Sequence, residues 1–451
     1  MNNDSAGVRG VRETGSVSPI HELPTHLQAL VGFEQRNLWR VEKYRANLAV
    51  SDFDEMYLPE RRGVFFLPCS SVRREDLYVY GDGEGLRYGI RELVHDVRDN
   101  TFILPVHPAE FARQTELLPT QHAESAARDS IRLLATPMSS TRTLLAWPEG
   151  HPESAFFTKL SLMSRLFGDR RLDRRKVAAS VWRSQLVGKL MRQLPPEMGY
   201  FAEPWGIVRR NQPERGLLFR AIPEELRGGK ELLAPLFALM GGGRESPPLA
   251  LQLIVRYGND GFAALKDILL CKFAKLWVDL VFDFGILLEA HGQDLLLTWS
   301  PAATPQGRFY YRDFEGMAVD WALCRARGLP EPGGLHAWEW FSTYETCGYR
   351  LYQLVSVKMI SSLFDYLHLV LGELESAVLE WQASGAIARG TVREGELTFV
   401  FSRCLRYAIQ EKFGMSEGEN YDIRHRLARF VKFLMQVRRD VMNGSRELAS
   451  I

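Results

Sequence analysis

The sequence predicts an α+β protein, with antiparallel sheet ahead of a glycine-rich break at Gly241–Pro248 and mostly helix after it. Three observations carry this. Between Leu144 and Ile222, apolar runs are separated by turn chemistry, which is a hairpin signal. From Leu249 onward, most of the chain carries helical apolar spacing. One further hairpin, Leu295–Trp299 with Phe309–Arg312, interrupts those helices and opens onto acidic residues.

Taken in order, residues 1–19 lack an apolar run and predict a disordered leader, not a secretory signal. Pro24–Val50 reads as helix, Val64–Pro68 and Leu77–Tyr80 as short strands, and Tyr88–Arg98 as helix. An apolar strand from Thr101 is closed by His107-Pro108, because a proline disfavours helix at the residue before it. Ser140-Thr-Arg-Thr143 then leads into Leu144–Trp147, a turn at Pro148–Pro152, and Ala155–Leu162. Folding this stretch near residue 150 sets Arg142 across from Lys159. Facing cations repel, so either both are solvated or an anion sits between them. Arg offers a fork and Lys a point charge to such an anion. Arg165, Arg170 and Arg171 follow closely, without the glycine–lysine pattern of a P-loop. Asp173–Leu194 reads as an amphipathic helix opened by Asp173. A third hairpin joins Tyr200–Val208 to Leu217–Ile222 and carries Arg220. Helices are expected at Leu249–Arg256, Gly261–Ala290, Trp338–Leu371, Glu375–Ser384, Phe399–Lys412 and Asp422–Met442.

The bulk numbers narrow the classes. The 451 residues suffice for two or three domains. A net charge of +1 gives no global field to recruit nucleic acid or an anionic membrane. Five scattered cysteines without a CxxC pair argue against a disulfide framework or a zinc site and for a reducing cytoplasm. The most apolar run, Phe262–Ala290, is broken by Lys and Asp residues, which makes it a buried helix and not a membrane span.

Chemistry concentrates in the late hairpin. Folding it at about residue 303 puts Asp294 opposite Asp313 and crowds His291, Gln293, Asp294, Asp313 and Glu315 at one end. Such a cluster suits a hydrated divalent ion and the phosphates it escorts, although polar residues also collect at any hairpin mouth. With Lys159 and Arg142 on a sheet, the parts match enzymes that hold a nucleoside triphosphate between a strand-borne cation and metal-binding carboxylates. The His291-x-x-Asp294, hairpin, Asp313 layout is also similar to antibiotic kinases of the protein-kinase-like superfold, which would make the chain a phosphotransferase. Against that reading, there is no glycine-rich phosphate loop and no Asn between the two acidic positions.

A closer resemblance rests on an ordered set of motifs from about Phe102 to the end. Ile103-Leu-Pro-Val-His-Pro108 is similar to an LPVHPxQ element, Ser140-Thr-Arg-Thr143 to SxRT, and Lys159-Leu-Ser-Leu162 to KLxL with Arg171 twelve residues after the Lys. Glu289-Ala-His-Gly-Gln-Asp294 resembles EAHxQN, Arg312-Asp-Phe-Glu-Gly316 resembles RDxxG, and Val431–Arg438 resembles a late basic helix. In this order they resemble the NRPS-independent siderophore synthetases of the aerobactin-synthetase type. The resemblance implies a cupped hand: a reduced thumb over residues 20–130, a fingers sheet over 131–243 and a helical palm over 244–451. It implies ATP held between fingers and palm, adenylation of a citrate-like carboxylic acid, and transfer to an amine or alcohol with release of AMP and pyrophosphate. Ser140, Arg142, Thr143, Lys159, Arg171, His291, Gln293 and Asp313 would then contact ATP, with Lys159, Arg171 and His291 closest to the chemistry. Asp313, Glu289 and Asp294 would hold Mg2+, and His107 and Arg220 would meet the acid. The implied setting is a cytoplasmic homodimer in siderophore or related secondary metabolism; a non-catalytic nucleotide-binding relative is the alternative within this resemblance. The chain departs from the pattern in three places. The HPxHPxxKxRxG element is missing, Phe167-Gly168 replaces Thr-Ser, and Asp294 replaces Asn. The first departure leaves the identity of the acid open.

Overall fold

The computed structural model describes residues 19–36, 57–82, 95–96, 100–115, 132–162, 171–229, 231–242, 247–299, 307–328, 349–414 and 423–442. Residues 1–18 of the expected leader, Arg165, Phe167-Gly168, Arg170 and the stretches 37–50, 88–94, 97–98 and 338–348 of expected helices lie outside them. The chain forms two compact units, residues 1–185 with 201–231, and residues 186–200 with 232–451.

The first unit opens with helix α1 (Thr25–Arg36), followed by strands β1 (Phe65–Leu67), β2 (Cys69–Arg73), β3 (Leu77–Gly81), β4 (His95–Asp96) and β5 (Thr101–Pro105). Helix α2 (Pro108–Thr115) follows, then β6 (Leu133–Pro137), β7 (Thr143–Pro148) and β8 (Phe156–Leu160). Helix α3 (Arg174–Leu190) ends in the second unit, to which β9 (Met198–Tyr200) also belongs, and β10 (Trp205–Arg209) and β11 (Gly216–Arg220) return to the first. Seven strands form one antiparallel sheet in the order β1-β6-β7-β8-β11-β10-β3, and β2-β5-β4 form a second. His95–Asp96 is strand where the periodicity predicts helix, because it pairs with Phe102 and Thr101 of β5.

Alternation along the strands sorts the residues into two faces. Leu144, Phe156, Leu160, Leu217, Phe219, Trp205 and Ile207 enter a core shared with Phe102 and Leu104 of the smaller sheet. On the other face Val208 and Leu218 pack against Val177 and Val181 of α3. The side chain of Asp173 accepts a hydrogen bond from the Lys176 N–H at 2.9 Å, the N-cap that the sequence predicts for this helix.

The second unit holds a four-stranded sheet, β12 (Leu232–Pro235), β14 (Leu295–Trp299), β15 (Phe309–Tyr311) and β9 in that order, with β15 and β9 parallel. Helix α4 (Leu249–Lys266) breaks at Gly258 and continues through a wider π turn, Asp267–Lys272, into α5 (Phe273–Phe284). That helix stops at Gly285, whose φ of 63° caps it, and not at Ala290 as its apolar run suggests. Strand β13 (Ile286–Leu287) then pairs with β16 (Ala318–Val319), so Glu289–Asp294 is a bridging loop and not a helix end. Helices α6 (Trp321–Ala326), α7 (Tyr349–Tyr366), α8 (Glu373–Ala383), α9 (Glu396–Phe413) and α10 (Ile423–Met442) complete the unit. Phe273 of α5 stacks on Tyr366 of α7 with 3.8 Å between ring centroids. The Glu375 carboxylate accepts the N–H groups of Gly395 and Leu397 and so caps α9 from the preceding helix, α8. Cys271 and Cys404 are joined in a disulfide across 133 residues, where the spacing predicts no such bond. Their separation in sequence hides a pair that the packing of α9 against the π turn brings together.

Candidate active site

The first cluster lies at one corner of the seven-stranded sheet. Met138 N–H bonds to the Thr143 carbonyl at 2.9 Å and Thr143 N–H to the Ser140 carbonyl at 2.7 Å, folding Ser140–Thr143 into a tight turn. The turn is braced from α1: Glu34 Oε2 accepts the Ser139 N–H at 3.1 Å, and Gln35 Nε2 donates to Thr136 Oγ1 at 2.7 Å. The register puts Thr143, not Arg142, opposite Lys159, one residue off the expected alignment. Arg142 instead precedes the strand, and its carbonyl accepts the Leu160 N–H at 2.8 Å. The difference comes from the turn, which closes through a short 3-10 segment at Pro152–Ser154 and shifts the fold point. Thr143, Lys159 and Leu218 form one row across the sheet, and Leu145, Phe157 and Arg220 form the next row on the same face. Lys159 and Arg142 are buried, at 3% and 6% exposure, while Ser140 is half-buried and Arg171 exposed. Buried cations in such a corner are costly unless matched by negative charge.

Arg220 has a carboxylate of its own. Its Nε and Nη2 reach Glu203 Oε1 at 3.0 and 2.5 Å, and both residues are buried. His107, at 1% exposure, accepts the Ala109 N–H on Nδ1 at 3.2 Å and stands edge-on to Tyr57. Burial pushes its pKa down to about 3, partly opposed by the Thr141 backbone beside it. The ring is therefore neutral, and it sits behind the Ser140–Thr143 turn.

The second cluster, in the other unit, surrounds the mouth of the β14–β15 hairpin. Leu295 pairs with Tyr311, so Arg312, not Asp313, comes opposite Asp294, and the Arg312 N–H bonds to the Asp294 carbonyl at 3.0 Å. The Arg312 guanidinium clamps the Gln293 carbonyl through Nε and Nη2, at 3.0 and 2.7 Å. This clamp was not among the expected site residues; the arginine of the RDxxG pattern was its only sequence signal. Glu289, His291 and Asp294 each bring one ligand-type atom within 4.8 Å of the others. The Gln293 N–H donates to His291 Nδ1 at 3.1 Å, so the neutral ring carries its proton on Nε2, 2.7 Å from Asp294 Oδ2. In this state His291 orients Asp294. Gly316 leaves room for the Glu289 carboxylate: a Cβ there would lie 1.7 Å from Oε2. Asp313 adopts a left-handed φ of 72°, unusual for a residue with a side chain, and its carbonyl accepts the Tyr311 hydroxyl at 3.1 Å. Burial lifts the Tyr311 pKa well above its ordinary value, and Asp294, Glu289 and Asp313 raise it further. Three carboxylates thus gather about one buried phenol. Hard oxygen donors at this density fit a small divalent cation such as Mg2+.

Among the described residues, no helix is long and apolar enough to cross a membrane. No family model matches the chain, and no curated protein matches its sequence. Solved structures do match. The aerobactin synthetase IucC from Klebsiella pneumoniae aligns at TM-score 0.57 and 20% identity, over 79% of this chain and 64% of that one. The petrobactin biosynthesis protein AsbB from Bacillus anthracis aligns at TM-score 0.62 and 14% identity, over 93% of this chain and 72% of that one. The ATP-bound aerobactin synthetase IucA from Klebsiella pneumoniae aligns at 0.55 and 16% identity, over 87% and 74%. This chain spans 64% of the length of the first of these. At such identities the likeness speaks for architecture: the chain has the α+β fold of the aerobactin and petrobactin synthetases.

Proposed function

We propose that the protein is an ATP-dependent ligase that adenylates a carboxylic acid and passes the acyl group to an amine or alcohol, in siderophore or related metabolism. The observation that carries this reading is the Glu289–His291–Asp294 group, closed by Arg312 and Gly316, on a fold shared with siderophore synthetases. In this reading Ser140, Arg142, Thr143 and Lys159 bind phosphate oxygens and offset the charge that builds as the acid attacks phosphorus. A buried lysine and arginine are stronger partners for a phosphate than solvated ones. Arg171, at the surface, serves the same phosphates. Glu289, Asp294 and Asp313 would hold Mg2+, which when bound neutralises phosphate charge. His291 keeps its proton on Nε2 and fixes Asp294, while Gln293 and the Arg312 clamp hold the loop that carries both. His107 braces the Ser140–Thr143 turn as a neutral ring, and Arg220 anchors the sheet through Glu203.

The protein needs a cytoplasmic nucleotide pool in this reading, acts on small molecules and not on nucleic acid or membrane, and works as a homodimer. The test is product analysis with Mg-ATP and hydroxylamine across citrate, 2-oxoglutarate, succinyl-amines and amino acids. Acid-dependent hydroxamate with AMP and pyrophosphate is expected. ADP in place of AMP would indicate phosphotransfer, and ATP binding without turnover of any acid would indicate a non-catalytic relative.

A further inference from the structure

The other end of the β10–β11 hairpin carries a second group of cations, on the opposite face of the sheet from Lys159. Arg209 closes β10 and pairs with Leu77, whose side chain belongs to the core shared by the two sheets. Ladder pairing of β10 and β11 ends at Val208 and Gly216, so Arg209 and Arg215 are the next residues to face each other. Arg209 is 7% exposed, and its described side-chain partner is the Ser70 hydroxyl of β2, 2.5 Å from Nη2. Arg215 is half-buried, and its Nε and Nη1 are buried without a hydrogen-bond partner. Burial and the Arg215 charge both lower the pKa of Arg209.

Among the described residues, nearby carboxylates do not answer this charge. Asp76 lies 3.5 Å from Arg73, Asp173 caps α3, and among the described residues no ion pair joins Glu214 to either arginine. The contrast with Arg220, at the other end of β11, is direct: that guanidinium has Glu203. Two guanidinium groups facing each other repel, and a buried donor without an acceptor is destabilising. A packing role would favour apolar side chains here. An oxyanion between the two forks would satisfy both, with the Ser70 hydroxyl as a further donor.

We infer that Arg209, Arg215 and Ser70 form a binding site for a small oxyanion, carboxylate or phosphoryl, separate from the residues proposed to bind ATP. The site does not depend on the ligase reading, and its test is binding, not turnover. The full chain is titrated with inorganic phosphate, pyrophosphate, succinate and citrate, each against chloride at matched ionic strength. Thermal unfolding and calorimetry are the readouts. An anion-specific rise in Tm is expected, with affinity falling at least about tenfold in Arg215→Gln and in Arg209→Gln, and unchanged in the variant of an exposed lysine on α5, Lys275→Ala. Response to the phosphates alone assigns a phosphoryl ligand; response to the acids alone assigns a carboxylate. Without any anion, Arg209→Gln should be as stable as the parent or more so, because it removes a repelling charge. Should Arg209→Gln not fold, the half-exposed Arg215→Gln decides alone. Absence of any anion-specific shift, or a shift that survives in Arg215→Gln, would overturn the inference.

Discussion

The sheet corner at Lys159 and the hairpin mouth at Asp294 are both charged ends of hairpins, but they are held in different ways. Lys159 stands between Thr143 and Leu218, residues that meet it only through ladders of β7, β8 and β11. Its position is a property of the whole sheet. At the mouth, Glu289, His291 and Asp294 come from one short loop, tied by their own contacts and by Arg312 from across the hairpin. Disturbing the corner should therefore disturb folding as well as chemistry. Disturbing the mouth should change ion binding while the fold persists.

The largest expected effect tests the corner as a folding element. Arg220→Ala takes the guanidinium away from the buried Glu203 carboxylate, and breaking such a pair costs about 3–5 kcal/mol. Urea denaturation followed by fluorescence measures it, and a loss below about 1 kcal/mol would show that the row beside Lys159 is not coupled to stability. Next, Lys159→Ala should lower acid-dependent pyrophosphate release about 10²–10³-fold and lower the urea midpoint with it; near-parental rates would remove Lys159 from the proposed chemistry. At the mouth, Gly316→Ala should push the Glu289 carboxylate aside and raise the Mg2+ concentration for half-maximal activity about tenfold. Its Tm should stay close to that of the parent, and an equal loss of Tm and of ion affinity would erase the contrast between the two regions.

The smallest effect is a pH dependence. His107 binds its proton at about 3 in the folded chain and near the ordinary histidine value when unfolded. The unfolded state thus takes up protons first as pH falls, so stability attributable to this ring drops from about pH 6.5 downward, at about 1.4 kcal/mol per pH unit. A neutral Gln cannot do this. The stability difference between the parent and His107→Gln, measured by denaturation at pH 7 and pH 5.5, should therefore shift against the parent at the lower pH. A constant difference would mean that the ring is not held neutral.

Much of both regions was legible in the sequence. The strands Leu295–Trp299 and Phe309–Tyr311 follow from apolar runs around a turn, and the start of α3 from Asp173. In each charged hairpin the folded register differs by one residue from the alignment the sequence predicts, for a common reason. Alternation says which residues share a face, but the fold point depends on how the loop closes, and one residue of slip changes every facing pair. That slip put Arg142 opposite Lys159 and Asp313 opposite Asp294; the folded chain places Thr143 and Arg312 there. The end of α5 also differs from the predicted one, because the buried segment after Gly285 is as apolar as the helix before it. Periodicity cannot separate two buried conformations of similar composition.

The sequence by itself determined the element types, the ordered motifs and the ionisable groups available to each hairpin, because these depend on local spacing and side-chain chemistry. Only the tertiary structure decided which groups find partners. Arg220 has Glu203, His291 has Asp294, and Cys271 has Cys404. Arg209 instead faces Arg215 with no carboxylate joined to it among the described residues. Pairing is a long-range property: burial makes an unmatched charge costly, and which partner comes within a few ångströms is set by register and packing.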